Sequence, residues 1–250
     1  RTKSSVLGDI SLDTVARSAS GLFELDRVLG GGLVAGSAIL LGGDPGIGKS
    51  TLALQCIGHL QHTQQVLYVS GEESLQQIAM RAQRLGIDGT AIHVLGENEV
   101  QLITQYASDV GARFLVADSI QTLFHAEVPS GPGSVAQVRE CASTLVAFAK
   151  RSGCTVLLIG HVTKEGGIAG PKVLEHLVDT VLYFEGDHSS RFRLIRAFKN
   201  RYGTVNEIGV FAMTEDGLRE VSNPSSMFLS QGREAGPGSV VFALQEATRP

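Results

Sequence analysis

The sequence predicts an α/β fold, a mainly parallel β-sheet flanked by helices with an antiparallel extension at one end. Three observations carry that reading. Residues 38–41, 66–69, 114–117 and 155–159 are short, apolar runs of the kind a strand shows when both its faces are covered, as a parallel sheet requires. Stretches with helical character fall between them, giving the strand–helix alternation of an α/β domain. From Thr180 onward the rhythm changes: runs at 180–184, 191–198, 208–213 and 218–221 follow one another with only short polar turns between them, which suits antiparallel pairing.

Taken in order, residues 1–20 are polar and weakly patterned, and residues 21–29 form a short amphipathic segment ended by Gly30, Gly31 and Gly32. The first core strand, 38–41, runs into Gly43-Asp44-Pro45-Gly46-Ile47-Gly48-Lys49-Ser50, and a helix continues from Thr51 to about His62. The strand at 66–69 ends at Ser70-Gly71-Glu72-Glu73. Ser74 and Gln77 make a capping box for the next helix, which Gly86 closes. Residues 91–95 read as a strand, Asn98 as the cap of a helix ending near Gly111, and 114–117 as the strand that delivers Asp118. Residues 121–133, with Pro129, Gly131, Pro132 and Gly133, read as a mobile loop before a helix over 134–151. The strand at 155–159 leads to Gly160, His161 and a second glycine-rich loop over 162–171.

Composition narrows the function classes. A chain of 250 residues with 43% hydrophobic content can bury a full core. No apolar run approaches the roughly 20 residues that span a bilayer, so a soluble protein without a membrane partner is expected, and the few, odd-numbered cysteines point to a reducing cytoplasm. Cys56, Cys141 and Cys154 are too few and too widely spaced for a disulfide framework or a zinc site, and read as small buried hydrophobes. A net charge of −4 does not advertise a nucleic-acid binder, so any such site has to be local or built by assembly. The chain starts at Arg1 rather than Met, and its native ends are expected to lie outside it.

The sharpest motif is the run from Gly43 to Ser50, which has P-loop spacing in the strand–loop–helix context that the motif needs. Gly43, Asp44, Pro45, Gly46, Ile47, Gly48, Lys49, Ser50 and Thr51 are therefore the candidate nucleotide-binding residues. Glycines let the backbone wrap close to phosphates with amides pointing inward, and the helix start adds partial positive charge. Lys49 is expected on the β- and γ-phosphates of ATP or ADP, and the Ser50 hydroxyl on Mg²⁺. Asp118, at the end of a neighbouring strand, is the second candidate for the metal. Of the carboxylates closing the strand at 66–69, Glu72 is the first choice to position the attacking water and Glu73 the competitor. His161 is placed to feel whether a γ-phosphate is present. Lys199 and Arg201, one residue apart at a strand end, face the same way and can reach one anionic target together.

Together with Tyr68-Val69-Ser70-Gly71-Glu72-Glu73-Ser74, Ala117-Asp118-Ser119-Ile120-Gln121-Thr122, Gly160-His161-Val162-Thr163-Lys164-Glu165-Gly166 and Lys199-Asn200-Arg201-Tyr202-Gly203, the P-loop closely resembles the bacterial RadA (Sms) family of DNA repair and recombination ATPases. The likeness covers about residues 15–222 and implies a RecA-like core over residues 1–222, working as a hexameric ring with nucleotide between subunits and single-stranded DNA in the channel. It makes Lys199 and Arg201 catalytic in trans, and assigns Lys164 and Lys172, on or beside the second loop, to DNA phosphates. It implies a helicase-like motor promoting branch migration on recombination intermediates, with a RecA-type recombinase as a possible partner. Two departures stand out: the family's N-terminal four-cysteine zinc motif is absent here, and its C-terminal Lon-protease-like domain appears only as a beginning over 223–250. The rival classes are a P-loop kinase and a nucleotide-switched assembly protein without DNA translocation.

Overall fold

A computed structural model of the chain describes residues 17–161, 171–186, 190–205 and 207–222. The loop carrying Lys164 and the segment 223–250 lie outside the described residues, as does the side chain of Lys172. In chain order the described elements begin with β1 (Arg17–Ser18), α1 (Phe23–Val28), β2 (Leu33–Val34), β3 (Ala38–Gly43), α2 (Lys49–Leu60), β4 (Val66–Ser70), α3 (Leu75–Arg84), β5 (Ile92–Leu95) and α4 (Val100–Asp109). They continue with β6 (Phe114–Asp118), α5 (Val135–Ser152), β7 (Thr155–His161), α6 (Pro171–Leu174), β8 (Thr180–Glu185), β9 (Phe192–Asn200), β10 (Ile208–Thr214) and β11 (Gly217–Glu220).

β1 and β2 form a small ribbon, and the other nine strands form one sheet in the order β11-β10-β9-β8-β3-β7-β6-β4-β5. From β8 to β5 neighbouring strands run parallel, whereas β9, β10 and β11 add on antiparallel. The predicted fold class therefore holds, extension included. Alternation along each strand sends side chains to opposite faces. Phe114 and Val116 of β6 join Tyr68, Phe184, Phe211 and the apolar sides of α1 and α2 in one core, while Leu115 and Ala117 join α4 and α5 in the other. Each large apolar side chain fully buried there contributes about 1.5–3 kcal/mol. Among the described residues no helix is long and apolar enough to cross a membrane.

Local signals fared unevenly. The Ser74–Gln77 capping box forms in both directions. Asn98 is not a cap: Glu99 holds that position without a side-chain bond, and the Val100 amide is satisfied by the Phe124 carbonyl at 3.0 Å. The Asn98 amide instead donates to the Thr122 carbonyl at 3.2 Å, tying the entry of α4 to the loop after β6. That loop is also more organised than its prolines and glycines suggest. Gln137 of α5, 2% exposed, donates to the carbonyls of His125, Val128 and Ser130 and accepts from the His125 amide at 2.7 Å. One buried amide group thus staples the loop from inside. The three cysteines are free and buried, and burial pushes the thiols of Cys141 and Cys154 up to about 12, so they act as core atoms.

Candidate nucleotide site

β3 runs through the middle of the sheet and delivers the P-loop at its C-terminal end. Gly48 sits just before α2 with φ of +118°, a conformation other residues resist, and a Cβ there would lie 2.7 Å from the Met213 methyl of β10. Ile47, 1% exposed, plants the loop in the core, and at Gly46 a Cβ would meet nothing within 4 Å. The loop is thus clamped from behind by the antiparallel extension and open in front. Lys49 is 4% exposed, and its ammonium donates to the carbonyls of Gly43 at 2.7 Å and Asp44 at 2.8 Å. Burial lowers its pKa to about 8, against the pull of Asp118, Asp44 and Glu72. A buried cation resting on two carbonyls of its own loop fits a site made for phosphate oxygens, which offer the full negative charge those carbonyls lack.

Parallel pairing brings the other groups beside it. Register sets Ser70 of β4 level with Asp118 of β6, and Gly43 of β3 level with His161 of β7. Asp118 is 6% exposed; burial pushes its carboxyl up, hydrogen bonds from Ser50 and Tyr68 pull it down, and Glu72 and Glu73 push it up again. The Tyr68 hydroxyl, fully buried in β4, donates to Asp118 Oδ2 at 2.5 Å. Ser50 and Asp118 together suit Mg²⁺, which takes one or two protein oxygens and fills its shell with phosphate and water. Among the described residues no group of three or more His, Cys, Asp or Glu is gathered for a metal.

Of the two neighbouring glutamates, only Glu72 turns into this cluster. Its Oε1 accepts from the Ser119 hydroxyl at 2.5 Å and lies 3.3 Å from His161 Nε2. Gln121 donates to the His161 carbonyl at 3.2 Å, which joins the start of the loop after β6 to the end of β7. Glu73 pairs instead with Arg81 of α3, and its amide is held by Ser70 Oγ at 3.0 Å. Tyr68, Ser119 and Gln121 are residues whose part at the site the sequence did not announce. Tyr68 reads as one more apolar strand position until β4 is paired with β6.

Lys199 and Arg201 are elsewhere. β9 runs antiparallel to β8, so its C-terminal end lies at the start of β8 and β3, across the sheet from the P-loop. There Lys199 Nζ donates to the carbonyls of Glu175 and Val178, the latter at 2.8 Å, and Arg201 pairs with Asp179 at 3.1 Å. The two cations share a target, as their spacing suggested, and it is the turn before β8 of their own chain.

The AAA domain family matches residues 9–167. The chain is 56% identical to DNA repair protein RadA of Pseudomonas aeruginosa over 98% of its length, 55% identical to that of Escherichia coli over 98%, and 50% identical to that of Bacillus subtilis over 99%. It spans about half of those relatives, 54%, 53% and 54% respectively. In fold it is similar to a KaiC-like protein from Pyrococcus horikoshii, with a TM-score of 0.68 and 22% identity over 83% of this chain and 99% of that one. The chain belongs to the AAA domain family, as a sequence relative of bacterial DNA repair protein RadA.

Proposed function

We propose that the chain is the ATP-hydrolysing core of a ring-shaped motor that is stimulated by single-stranded DNA, translocates on it, and promotes branch migration in recombination and repair. The observation that carries this reading is the separation within one protomer of the P-loop from Lys199 and Arg201, which lie at opposite ends of the sheet. Cations so placed do not reach the P-loop of their own chain, so a part in hydrolysis would be played at another copy's nucleotide, as an arginine finger does. The names of the relatives support the repair context, and the AAA family match supports ATP hydrolysis. Residues 1–222 would form this core and 223–250 the beginning of a further domain.

At the nucleotide, the loop amides and Lys49 would bind and orient the phosphates, and Ser50 and Asp118 would hold the metal. Mg²⁺ supplies charge neutralisation across the phosphate oxygens when bound. Glu72, steadied by Ser119 and His161, orients the attacking water, and His161 passes the state of the site to the loop that follows it. Arg201 and Lys199 of an adjoining copy stabilise charge developing in the transition state, so turnover depends on a closed ring. Lys164 and Lys172 would face DNA, with six copies of a few lysines lining the channel of a protein whose net charge is −4.

The deciding experiment measures ATP hydrolysis with and without single-stranded DNA alongside the particle mass in solution. Stimulation, a ring-sized mass and a fall in turnover of about a hundredfold or more for Arg201→Ala with nucleotide binding retained are the expected results. A monomer that hydrolyses ATP at the same rate with or without DNA would leave the kinase or switch readings standing.

A further inference from the structure

Arg201 does not hold Asp179 alone. Asp179 is 1% exposed and accepts from three directions: the Ala38 amide at 3.0 Å, Lys150 Nζ at 2.6 Å and Arg201 at 3.1 Å. Lys150 stands in the last turn of α5, with its side chain 44% exposed and its ammonium 3.4 Å from the Tyr202 hydroxyl. Arg201 is 53% exposed. Two cations from different elements therefore share one buried carboxylate, Lys150 on Oδ2 and Arg201 on Oδ1, and the more exposed one belongs to the pair that the proposed function sends to a neighbour's phosphates.

That arrangement solves a physical problem. A guanidinium paired with a buried carboxylate cannot leave cheaply, because it strands an uncompensated charge in the interior. With Lys150 and the Ala38 amide still in place, Asp179 stays satisfied when Arg201 departs. We propose that Lys150 is a positioning residue for the trans-acting arginine: it keeps Asp179 neutralised, so that Arg201 can exchange its own chain's carboxylate for a phosphate on the adjoining subunit. The proposal rests on the trans role assigned above and adds the group that makes the exchange affordable. Lys150 never touches nucleotide in this scheme, and acts by lowering the cost of releasing Arg201.

The test is DNA-stimulated ATP hydrolysis by the whole protein, with nucleotide affinity and melting temperature measured on the same samples. Lys150→Met should tighten the hold of Asp179 on Arg201 and lower stimulated turnover by about tenfold. Lys150→Arg, which keeps a cation on the carboxylate, should restore the rate. Adding Asp179→Asn to Lys150→Met removes the charge that holds Arg201 and should also restore turnover, a rescue that mere structural damage would not give. If Arg201→Ala lowers turnover but Lys150→Met does not, the proposal is wrong and the trans reading survives. If Lys150→Met stays slow in the Asp179→Asn background, or Lys150→Arg is as slow as Lys150→Met, Lys150 acts in some other way and the proposal is likewise overturned. If Arg201→Ala itself leaves turnover unchanged, the trans reading falls first and this proposal with it.

Discussion

At the scale of single residues the site separates groups that the sequence leaves side by side. Glu72 and Glu73 are adjacent acids after the same strand, yet one bonds Ser119 and approaches His161 while the other pairs with Arg81. Glu72→Gln is expected to lower ATP turnover by about a hundredfold or more with nucleotide binding kept. Glu73→Gln should leave turnover within a few-fold of the wild type and cost under about 1 kcal/mol of stability, since its ion pair is partly exposed. Equal losses in both variants would remove the distinction. Tyr68 offers a cleaner probe, because Phe fills the same space without the hydroxyl that orients Asp118. Tyr68→Phe should raise the Mg²⁺ concentration needed for half-maximal nucleotide binding by about tenfold, read by titrating the metal against a fluorescent nucleotide. Asp118, the proposed metal carboxylate, could be placed at the end of an apolar strand from the sequence. Its tyrosine partner could not, because that contact joins residues 50 positions apart.

At the scale of elements, strands and helices followed their local patterns, whereas the joints between them did not. The buried parallel strands and the capping box of α3 were legible because period, branching and caps act within a few residues. The start of α4 was misread because a distant carbonyl, that of Phe124, does the work that a cap would do. The same non-local logic turns residues 123–130 into a held loop, since Gln137 lies in the following helix. Gln137→Ala leaves those carbonyls and the His125 amide without their partner and is expected to cost about 2–3 kcal/mol. Hydrogen exchange should then quicken at residues 125–130 while β6 and β7 keep their protection. Unchanged exchange there would show that the loop is held by something else.

At the scale of the whole molecule, the sheet keeps two charged sites apart and the junction at Asp179 ties α5, β3, β8 and the end of β9 together. Burial pushes the Asp179 carboxyl up, but the Lys150 hydrogen bond, the Ala38 amide, the Lys150 charge and the Arg201 hydrogen bond outweigh it and hold the group below its ordinary 3.8. Lys199 also stands near, and its own pKa is lowered, first by burial and then by Arg201. A carboxyl depressed in the folded state binds its proton later than in the unfolded chain, so its contribution is full above 3.8 and is lost as pH falls through the folded value. Urea midpoints measured from neutral pH downward should therefore fall more steeply below that point for the wild type than for Asp179→Asn. Parallel curves would mean that the junction carries no net charge stabilisation.

The chain by itself determined the core strands, the longer helices, the P-loop and the α/β class, because each rests on chemistry that repeats or closes within a few residues; the short β1–β2 ribbon and α6 were not legible in it. Spacing also showed that Lys199 and Arg201 could share a target. Only the tertiary structure decided that this target is the turn before β8 and not the P-loop of the same chain, that Glu72 rather than Glu73 joins His161, and that Tyr68 and Lys150 attend the two carboxylates. Those outcomes depend on strand order and direction, and strand order is set by how the whole sheet buries both its faces, a quantity that no short window of residues contains.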